Sequence, residues 1–351
     1  MGVGCPYGSH RVLEPAGVLP QAAWRLDNRP EILDNEALLD VERLNVDAAS
    51  FTQIKEACHG DPDRMAEHIL DIVRQRGKLH NPVTGSGGML IGTVRQVGPA
   101  LADRRDRPPL RAGDRIATLV SLSLTPLHLE AIEEIDLDRD QVRVKGHAVL
   151  FASGTYAHLP ADMPPEMALA ILDVAGAPAQ TARLVQPGHK VFIVGAGGKS
   201  GLLCAAEARK RAGRSGEVVG LCHSPASAAR LRRLGAADHV LTGDATRPLE
   251  VLAALEKAAP DWRADVTINC VNIAGTEMTS ILATRSRGVV YFFGMATSFT
   301  AAALGAEGVG HDVDMLIGNG YATGHAEAAL ATVRENPVLY AMFHELYGSQ
   351  P

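Results

Sequence analysis

Apolar and polar residues follow two different patterns in the two halves of the chain. In the first half, residues 62–77 carry apolar side chains at helical spacing, and Gly77 is expected to end that helix. Other segments show the alternation and the glycine or proline boundaries of short strands: residues 37–51, 87–98, 113–125 and 140–151. The first of these strands is expected to run into a polar loop. This half is therefore predicted to be mainly β.

From about residue 164 the pattern becomes an alternation of helices and strands. The predicted order is helix 164–185, strand 189–198, helix 199–213, strand 217–224, helix 228–236, strand 239–241, helix 248–259, strand 264–271, helix 275–286 and strand 288–294. Strands and helices that alternate at this spacing predict an α/β fold with a doubly wound parallel sheet.

A length of 351 residues also favours two domains, at about 100–200 residues per domain. Residues 161–299 are assigned to the parallel-sheet domain. Residues 1–160 and 300–351 are assigned to the other domain, because the helical tail at 322–347 is expected to pack back on it.

Composition and charge exclude several classes of protein. Hydrophobic residues make up 46% and charged residues 21%, which is typical of a globular protein. The net charge of −6 argues against a nucleic-acid partner, and the densest basic run, residues 104–107, is interpreted as a solvated turn. The long uncharged stretch at 288–306 contains glycines and hydroxyl side chains, which favour a buried strand and a loop over a membrane helix.

The cysteines and the N terminus indicate a cytoplasmic location. No signal peptide is visible in the first residues, which lack an apolar run after a basic start. The five cysteines are far apart and include no C-x-x-C pair, so reduced thiols are expected and a zinc knuckle is not.

The sharpest motif is the glycine-rich loop GAGGKSG at residues 195–201, between a predicted strand and a predicted helix. A triphosphate-binding loop of the form G-x-x-x-x-G-K-[ST] would need glycine at position 193, where isoleucine stands. The dinucleotide fingerprint fits better, since Gly195 allows a tight turn and Gly197 lets the backbone approach a pyrophosphate at the helix N terminus. Ser200 occupies the third glycine position, with Gly201 after it, and a small serine is expected to keep the helix close to the strand.

The end of the next strand predicts which dinucleotide is preferred. A carboxylate there would bind the ribose 2′-hydroxyl of NAD, but the residues after 217–221 are Cys222, His223 and Ser224. His223 and Ser224 suit a 2′-phosphate, and Arg230 is either a further phosphate partner or a solvated helix residue. NADP is therefore expected to be preferred and NAD tolerated. The predicted cofactor-binding residues are Gly195, Gly197, Gly198, Lys199, Ser200, His223, Ser224, Arg230, Asn269 and Gly294.

Longer stretches of the chain resemble a known superfamily. The run GHAVLFASGTYAHLPADMPPEMALAILDVAGAPAQTARLVQPGHKVFIVGAGGKSG is similar to the passage between the two domains of medium-chain dehydrogenase/reductases, and LRRLGAADHVL and GVVYFFG continue the similarity. The resemblance extends from about residue 30 to 300. It implies a GroES-like β-rich catalytic domain completed by the C-terminal tail, a Rossmann domain and a nucleotide cleft between them.

Three segments of the first half narrow this resemblance. Residues 4–24, 45–57 and 76–94 resemble the L-erythro-3,5-diaminohexanoate dehydrogenases. That family implies oxidative deamination of the diamino acid to 5-amino-3-oxohexanoate in lysine fermentation, with hydride transfer to NAD(P)⁺ and release of ammonia. Two alternatives stay open: a zinc-independent quinone or enone reductase of the same superfamily, and a non-enzymatic NADP-binding protein.

The resemblance also indicates an enzyme without a metal. Zinc-dependent members of the superfamily have cysteine where Asp47 stands and a Gly-His-Glu sequence near residues 84–86. Catalytic zinc takes about three protein ligands, and beyond Asp47 and His80 no third ligand falls in register.

The catalytic candidates follow from where the superfamily places its active site. Asp47 is the first candidate for a base or for an ammonium partner, and is alternatively a loop carboxylate or a helix cap. His80 is a candidate proton relay or a structural histidine, and Ser50 a candidate for orienting water or the nucleotide. The substrate-binding candidates are Arg11 and Lys78, for the carboxylate, with Thr84 and Ser86.

The same region predicts an assembly. The strand at Gly288–Phe293 is expected to form an edge through which two copies pair, with Ala301–Leu304 lining the contact. A homodimer or a dimer of dimers is expected, with a small-molecule substrate and neither a nucleic-acid nor a membrane partner.

Overall fold

The computed structural model describes residues 2–102, 108–318 and 320–348. The turn predicted at 104–107 lies outside the described residues. The chain divides into two compact units, the first formed by residues 1–173 and 347–351 and the second by residues 174–346.

The first unit consists mainly of antiparallel β structure. Its strands are β1 (Val12–Glu14), β2 (Arg25–Leu26), β3 (Glu36–Val46), β4 (Gly88–Val97), β5 (Arg115–Thr118), β6 (Leu127–Asp136), β7 (Gln141–Phe151) and β8 (Tyr156–His158). Its helices are α1 (Ala48–Ala57), α2 (Pro62–Arg76), α3 (Pro99–Ala102) and α4 (Pro165–Asp173). Six strands pair antiparallel in the order β6-β7-β3-β4-β5-β8, and β1 pairs with β2.

The predicted helix at 62–77 is confirmed as α2. Asp61 caps its N terminus by accepting hydrogen bonds from Asp63 and Arg64, and Gly77 ends it in the left-handed conformation with a φ of 63°. One apolar face of α2 is buried in the core that the sheet also lines: Met65, Ile69, Ile72 and Val73.

Several elements of the first unit, α1 and β6 among them, differ from the sequence prediction. The segment after β3 was expected to be a polar loop, yet Asp47 starts the helix α1 there. The strand β6 was not predicted, because it is an edge strand whose outward side chains are largely charged.

The second unit is a parallel sheet flanked by helices. Its strands are β9 (Lys190–Val194), β10 (Glu217–Cys222), β11 (His239–Thr242), β12 (Ala264–Asn269), β13 (Thr284–Phe292) and β14 (Asp314–Ile317). Its helices are α5 (Gly176–Leu184), α6 (Lys199–Ala212), α7 (Pro225–Leu234), α8 (Pro248–Ala258), α9 (Glu277–Ala283), α10 (Phe299–Gly308), α11 (His325–Arg334) and α12 (Pro337–Tyr347).

The strand order of this sheet identifies a Rossmann fold. The order is β11-β10-β9-β12-β13-β14, and all pairs are parallel. Counted from β9 this is 3-2-1-4-5-6, the doubly wound arrangement whose order reverses between β9 and β12. Ligands of such sheets bind at the carboxyl ends of the strands at this reversal. The predicted α/β fold class is confirmed.

The tail corrects the predicted domain boundaries. Residues 300–346 belong to the second unit, because α10 packs beside α9 and α11 packs on α5 and α6. The second unit begins at residue 174, where the helix predicted over 164–185 is interrupted between α4 and α5. The tail therefore extends the parallel sheet and its helical layer.

The predicted loop after β13 is in part the helix α10, which buries Ala302 and Ala306 against the sheet. The strand β14 then follows at the edge, so β13 lies inside the sheet and is not the edge that the sequence suggested. Among the helices of the described ranges, none combines the length and the apolar character needed to cross a membrane.

Candidate functional site

The glycine loop lies at the carboxyl end of β9, beside the reversal of strand order. Gly195 has a φ of 82°, a left-handed conformation that an L side chain rarely adopts. A Cβ on Gly197 would lie 2.3 Å from the carbonyl oxygen of Ser227. Gly198 caps α6, and Lys199 is its first residue. Only glycine therefore lets this loop turn while it stays closely packed on α7.

The close packing of helix on strand depends on Gly201 and not on Ser200. A Cβ on Gly201 would lie 2.2 Å from the carbonyl oxygen of Gly195 and 2.7 Å from the Cα of Ala196. The third glycine of the fingerprint is thus displaced by one residue from the position that the sequence spacing assigned. Ser200 is buried in the first turn of α6.

The side chains after β10 are compatible with a phosphate. Arg230 donates a hydrogen bond from Nε to the carbonyl oxygen of Gly197 at 3.0 Å, so its guanidinium is fixed at the glycine loop. This contact excludes the interpretation of Arg230 as a merely solvated helix residue. His223 is exposed, and Ser224 caps α7 with its side chain and forms a capping box with Ser227.

Asn269 and Gly294 shape the carboxyl ends of β12 and β13. The Asn269 amide donates to the hydroxyls of Thr276 and Ser280 at 2.9 and 3.0 Å, and its Oδ1 accepts from the Val271 N–H at 3.0 Å. A Cβ on Gly294 would lie 2.0 Å from the carbonyl oxygen of Val271. Both residues hold the rim of the site through these contacts.

In the first unit, three hydroxyl side chains form a compact cluster. Ser50 Oγ lies 2.5 Å from Thr84 Oγ1 and 2.6 Å from Ser86 Oγ, and the last two atoms are 3.2 Å apart. Ser50 is buried on the first turn of α1. Each hydroxyl can donate one hydrogen bond and accept others, so the cluster can pass a proton along a chain of oxygens.

Asn81 positions this cluster and was missed by the sequence analysis. It is buried, its Oδ1 accepts from the Val83 N–H at 2.8 Å, and its Nδ2 donates to Gln53 Oε1 at 2.8 Å. Its backbone also bonds to Ser86 O and to Gly85 N–H. Asparagine before proline is a recognised turn signal, and this signal pointed to a turn at 81–86.

His80 lies next to the loop that carries the hydroxyl cluster. A Cβ on Gly85 would lie 3.9 Å from His80 Nε2, and His80 Nδ1 is buried without a hydrogen-bond partner in the structure. Burial, with the nearby charges of Lys78 and Arg76, lowers the pKa of His80 to about 4. The imidazole is therefore neutral near pH 7.

Lys78 and Arg11, the two candidate carboxylate clamps, are engaged within the protein. Lys78 is fully buried and donates from Nζ to the carbonyl oxygen of Pro20 at 2.7 Å, and burial lowers its pKa to about 8. The buried Arg11 forms two hydrogen bonds with Glu36, at 2.8 and 2.7 Å. Its other N–H groups bond to backbone carbonyls, so neither side chain is presented to a substrate carboxylate.

Asp47 is the N-terminal cap of α1. Its Oδ1 accepts from the Ala49 N–H at 3.0 Å, and its own N–H lies 3.4 Å from Gly87 O. The alternative interpretation as a helix cap is thus confirmed. The Gly87 contact brings Asp47 to the same end of the sheet as the hydroxyl cluster. Across the described residues, no group of three or more histidine, cysteine, aspartate or glutamate side chains is arranged to hold a metal ion.

Comparison with known proteins links the chain to named enzymes. A family model described as "L-erythro-3,5-diaminohexanoate dehydrogenase N-terminal domain" matches residues 10–160. The L-erythro-3,5-diaminohexanoate dehydrogenase of Acetoanaerobium sticklandii is 55% identical over 344 residues, which cover 98% of this chain and 99% of that protein. The enzyme of the same name from Fusobacterium nucleatum subsp. nucleatum is 52% identical over 347 residues, covering 99% and 100%.

Solved structures with low identity share the fold. The CurK enoyl reductase superposes with a TM-score of 0.54 at 18% identity, over 95% of this chain and 85% of that one. An alcohol dehydrogenase of Thermotoga maritima gives a TM-score of 0.55 at 17% identity, over 90% and 86%. At these identities the likeness shows the medium-chain dehydrogenase/reductase fold alone and does not favour a reductase.

Proposed function

Since the chain belongs to the L-erythro-3,5-diaminohexanoate dehydrogenase family, we propose that it oxidatively deaminates L-erythro-3,5-diaminohexanoate to 5-amino-3-oxohexanoate in lysine fermentation, with NADP⁺ preferred over NAD⁺. The structural observation that carries the proposal is the glycine loop at the strand reversal. There Gly197 and Gly201 occupy positions where any Cβ would strike backbone atoms. The substrate is inferred from the names of the full-length relatives.

The proposed reaction balances with water as co-reactant. The C–NH₃⁺ carbon loses a hydride and the nitrogen loses a proton, which gives an iminium that water hydrolyses to the ketone and an ammonium ion. NADP⁺ would accept the hydride when it is bound at the glycine loop. An ammonium with a pKa near 10 is mostly charged at neutral pH, so the protein must supply a group that takes the proton.

The cofactor would be held by the residues at the carboxyl ends of β9 and β10. The first turn of α6 offers N–H groups to a pyrophosphate, and the backbone at Gly197 permits its close approach. Arg230, anchored on Gly197, supplies a positive charge for a 2′-phosphate. The absence of a carboxylate at residues 222–224 removes the repulsion that would otherwise select against that phosphate.

In the first unit, we assign proton handling to Asp47, His80 and the hydroxyl cluster around Ser50. Asp47 supplies a carboxylate for the substrate ammonium or its proton. His80 remains neutral, so its buried Nδ1 offers a hydrogen bond without adding a second positive charge near a cationic substrate. The Ser50, Thr84 and Ser86 hydroxyls orient the hydrolytic water and carry its proton away.

The test is a direct assay of reduced nicotinamide and ammonia. The protein with NADP⁺ and L-erythro-3,5-diaminohexanoate should form both products in equal amounts. The same protein with NADPH and a quinone or an enone should show no turnover above background. Turnover of the quinone or enone without diamine oxidation would identify a reductase, and dinucleotide binding without either reaction would identify a non-enzymatic protein.

Two variants test the assigned residues. Asp47→Asn and Ser50→Ala should each lower kcat with the diamine by about 10²-fold or more while NADP⁺ affinity stays near that of the wild type. Ser121→Ala is the matched control for Ser50, because Ser121 forms a similar hydroxyl pair of its own with Ser123, at 2.8 Å. Unchanged kinetics in Asp47→Asn would remove Asp47 from the site.

We also propose a homodimer or a dimer of dimers, formed through β14 in place of β13. β14 is the edge of the parallel sheet, and its Ile317 is 66% exposed. Leu304 and Phe299 on α10 are also exposed, so an apolar surface flanks an unpaired strand edge.

A cytoplasmic location is proposed as well, supported by the absence of disulfides among the five cysteines.

A further inference from the structure

Two cysteines meet beneath the glycine loop of the second unit. Cys270 Sγ lies 3.9 Å from Cys204 Sγ, and the pair joins the end of β12 to the second turn of α6. These residues are 66 positions apart in the chain, so the fold alone brings them together. Cys204 is fully buried and Cys270 is partly exposed.

The cysteine pair is also in direct contact with the turn that starts the loop. The Cys270 N–H donates to Val194 O at 2.9 Å. A Cβ placed on Gly195 would lie 3.4 Å from the Cys270 carbonyl carbon. Because a disulfide requires an S–S distance of about 2.05 Å, bond formation must shorten the present separation by almost half.

Disulfide formation requires Cys270 to move towards Cys204, because the helix that carries Cys204 is packed on both sides. Cys204 belongs to α6, which packs on β9 and on α5. Burial raises the pKa of the Cys204 thiol, so the partly exposed Cys270 is the sulfur that an oxidant reaches first. A shift of Cys270 towards α6 displaces the backbone that touches Gly195.

We propose that Cys204 and Cys270 form a reversible intramolecular disulfide, driven by a hydroperoxide, and that this disulfide weakens dinucleotide binding at the glycine loop. The Cys270 thiolate attacks one oxygen of the hydroperoxide, so an S–O bond forms, the O–O bond breaks and an alcohol or water leaves. Cys204 sulfur then attacks the sulfenic sulfur, so the S–S bond forms, the S–O bond breaks and water leaves with the Cys204 proton. Two thiols are oxidised and one hydroperoxide is reduced, which balances electrons and atoms.

This redox switch, the reversible Cys204–Cys270 disulfide, rests on the proposed function, because it requires that the glycine loop binds a dinucleotide. Linkage then makes the effect reciprocal: if oxidation weakens NADP⁺ binding, bound NADP⁺ must disfavour the disulfide by the same factor. Couplings of this kind are typically about 5–150-fold. A tenfold coupling corresponds to a shift of about 30 mV in the midpoint potential of the two-electron couple.

The experiment treats the full chain with hydrogen peroxide and measures intact mass, disulfide-linked peptides and NADP⁺ affinity. The oxidised protein should lose the mass of two hydrogen atoms, yield a linked peptide with Cys204 and Cys270, and bind NADP⁺ about tenfold more weakly. Dithiothreitol should restore the affinity. In glutathione redox buffers, saturating NADP⁺ should raise the midpoint potential of the pair, since it stabilises the dithiol.

Variants separate the pair from other thiols. Cys204→Ala and Cys270→Ser should keep the affinity of the reduced wild type and lose the response to peroxide, whereas Cys58→Ser, a buried cysteine of the first unit, should respond as the wild type does. A wild-type protein that binds NADP⁺ and does not form the linked peptide would overturn the switch alone. A reduced protein that binds no dinucleotide would refute the proposed function and the coupling, whatever the thiols do.

Discussion

Replacing Gly201 with alanine tests how closely α6 must approach the turn at Gly195. The added Cβ would lie 2.2 Å from Gly195 O and 2.7 Å from Ala196 Cα, and both of these atoms belong to the backbone. Real Cβ atoms essentially never come closer than 3.0 Å to a heavy atom, so the helix or the turn must shift by about 1 Å. No flexible side chain is available to absorb this shift.

The magnitude follows from two opposing effects. Overpacking of a rigid core site usually destabilises by about 1–3 kcal/mol, and contact with backbone on both sides places this site at the upper end. Alanine stabilises a helix interior by about 1 kcal/mol relative to glycine. We therefore expect Gly201→Ala to lower the free energy of unfolding of the second unit by about 2 kcal/mol. NADP⁺ should bind about tenfold more weakly, because the helix N terminus is displaced from the phosphate site.

Urea unfolding followed by tryptophan fluorescence measures the first effect. Trp262 is buried in the second unit and reports its unfolding, and a Trp24→Phe background removes the more exposed tryptophan of the first unit. Gly198→Ala is the matched control, because its Cβ would meet nothing closer than 3.5 Å and its φ is −86°. Because alanine is a poorer N-terminal cap than glycine, the free energy of unfolding of this control should fall by about 0.5–1 kcal/mol, which is less than for Gly201→Ala. A Gly201→Ala protein with the wild-type urea midpoint and NADP⁺ affinity would show that the loop has room for a side chain, and the reasoning would fail.

Three further outcomes are expected. Arg230→Gln should lower kcat/KM for NADP⁺ by about tenfold or more, since a charged hydrogen bond to phosphate contributes about 1.5–3 kcal/mol, and should leave kcat/KM for NAD⁺ nearly unchanged. The control Arg232→Gln, on the same helix, should alter neither value. Equal losses for both cofactors in Arg230→Gln would contradict the assignment of Arg230 to the 2′-phosphate. Because the pKa of His80 is lowered to about 4 from 6.5, the unfolded chain takes up its proton first, and stability should fall as the pH drops from about 6.5 towards 4. His80→Gln should lose less stability over that range in urea titrations, and parallel losses would show that other groups dominate. Ile317→Lys at the edge of β14 should shift the protein towards monomer in sedimentation analysis, and an unchanged mass would place the contact elsewhere.

The regular elements and the cofactor loop could be predicted because their signals are local. Residues 61–77 carry the N-terminal cap, the helical spacing and the final glycine of α2 within one short segment. The glycines at 195–201 follow a buried strand and precede a helix, so the dinucleotide fingerprint and its place in a parallel sheet could be inferred together. The substrate class was inferred from the long segments that resemble the family, because the spacing of apolar and glycine residues does not indicate a substrate.

Features that depend on packing between distant segments required the tertiary structure. Ser200 and Gly201 are both small, and only the 2.2 Å approach to Gly195 O distinguishes the residue that must be glycine. The tail was assigned to the wrong unit, since an apolar helix face shows that it is buried but not which surface covers it. Lys78 and Arg11 looked available to a substrate until their partners, Pro20 O and Glu36, were located. Burial, charge pairing and the contact between Cys204 and Cys270 depend on which distant parts of the chain pack together. The pattern of apolar and polar positions along the sequence does not specify these contacts.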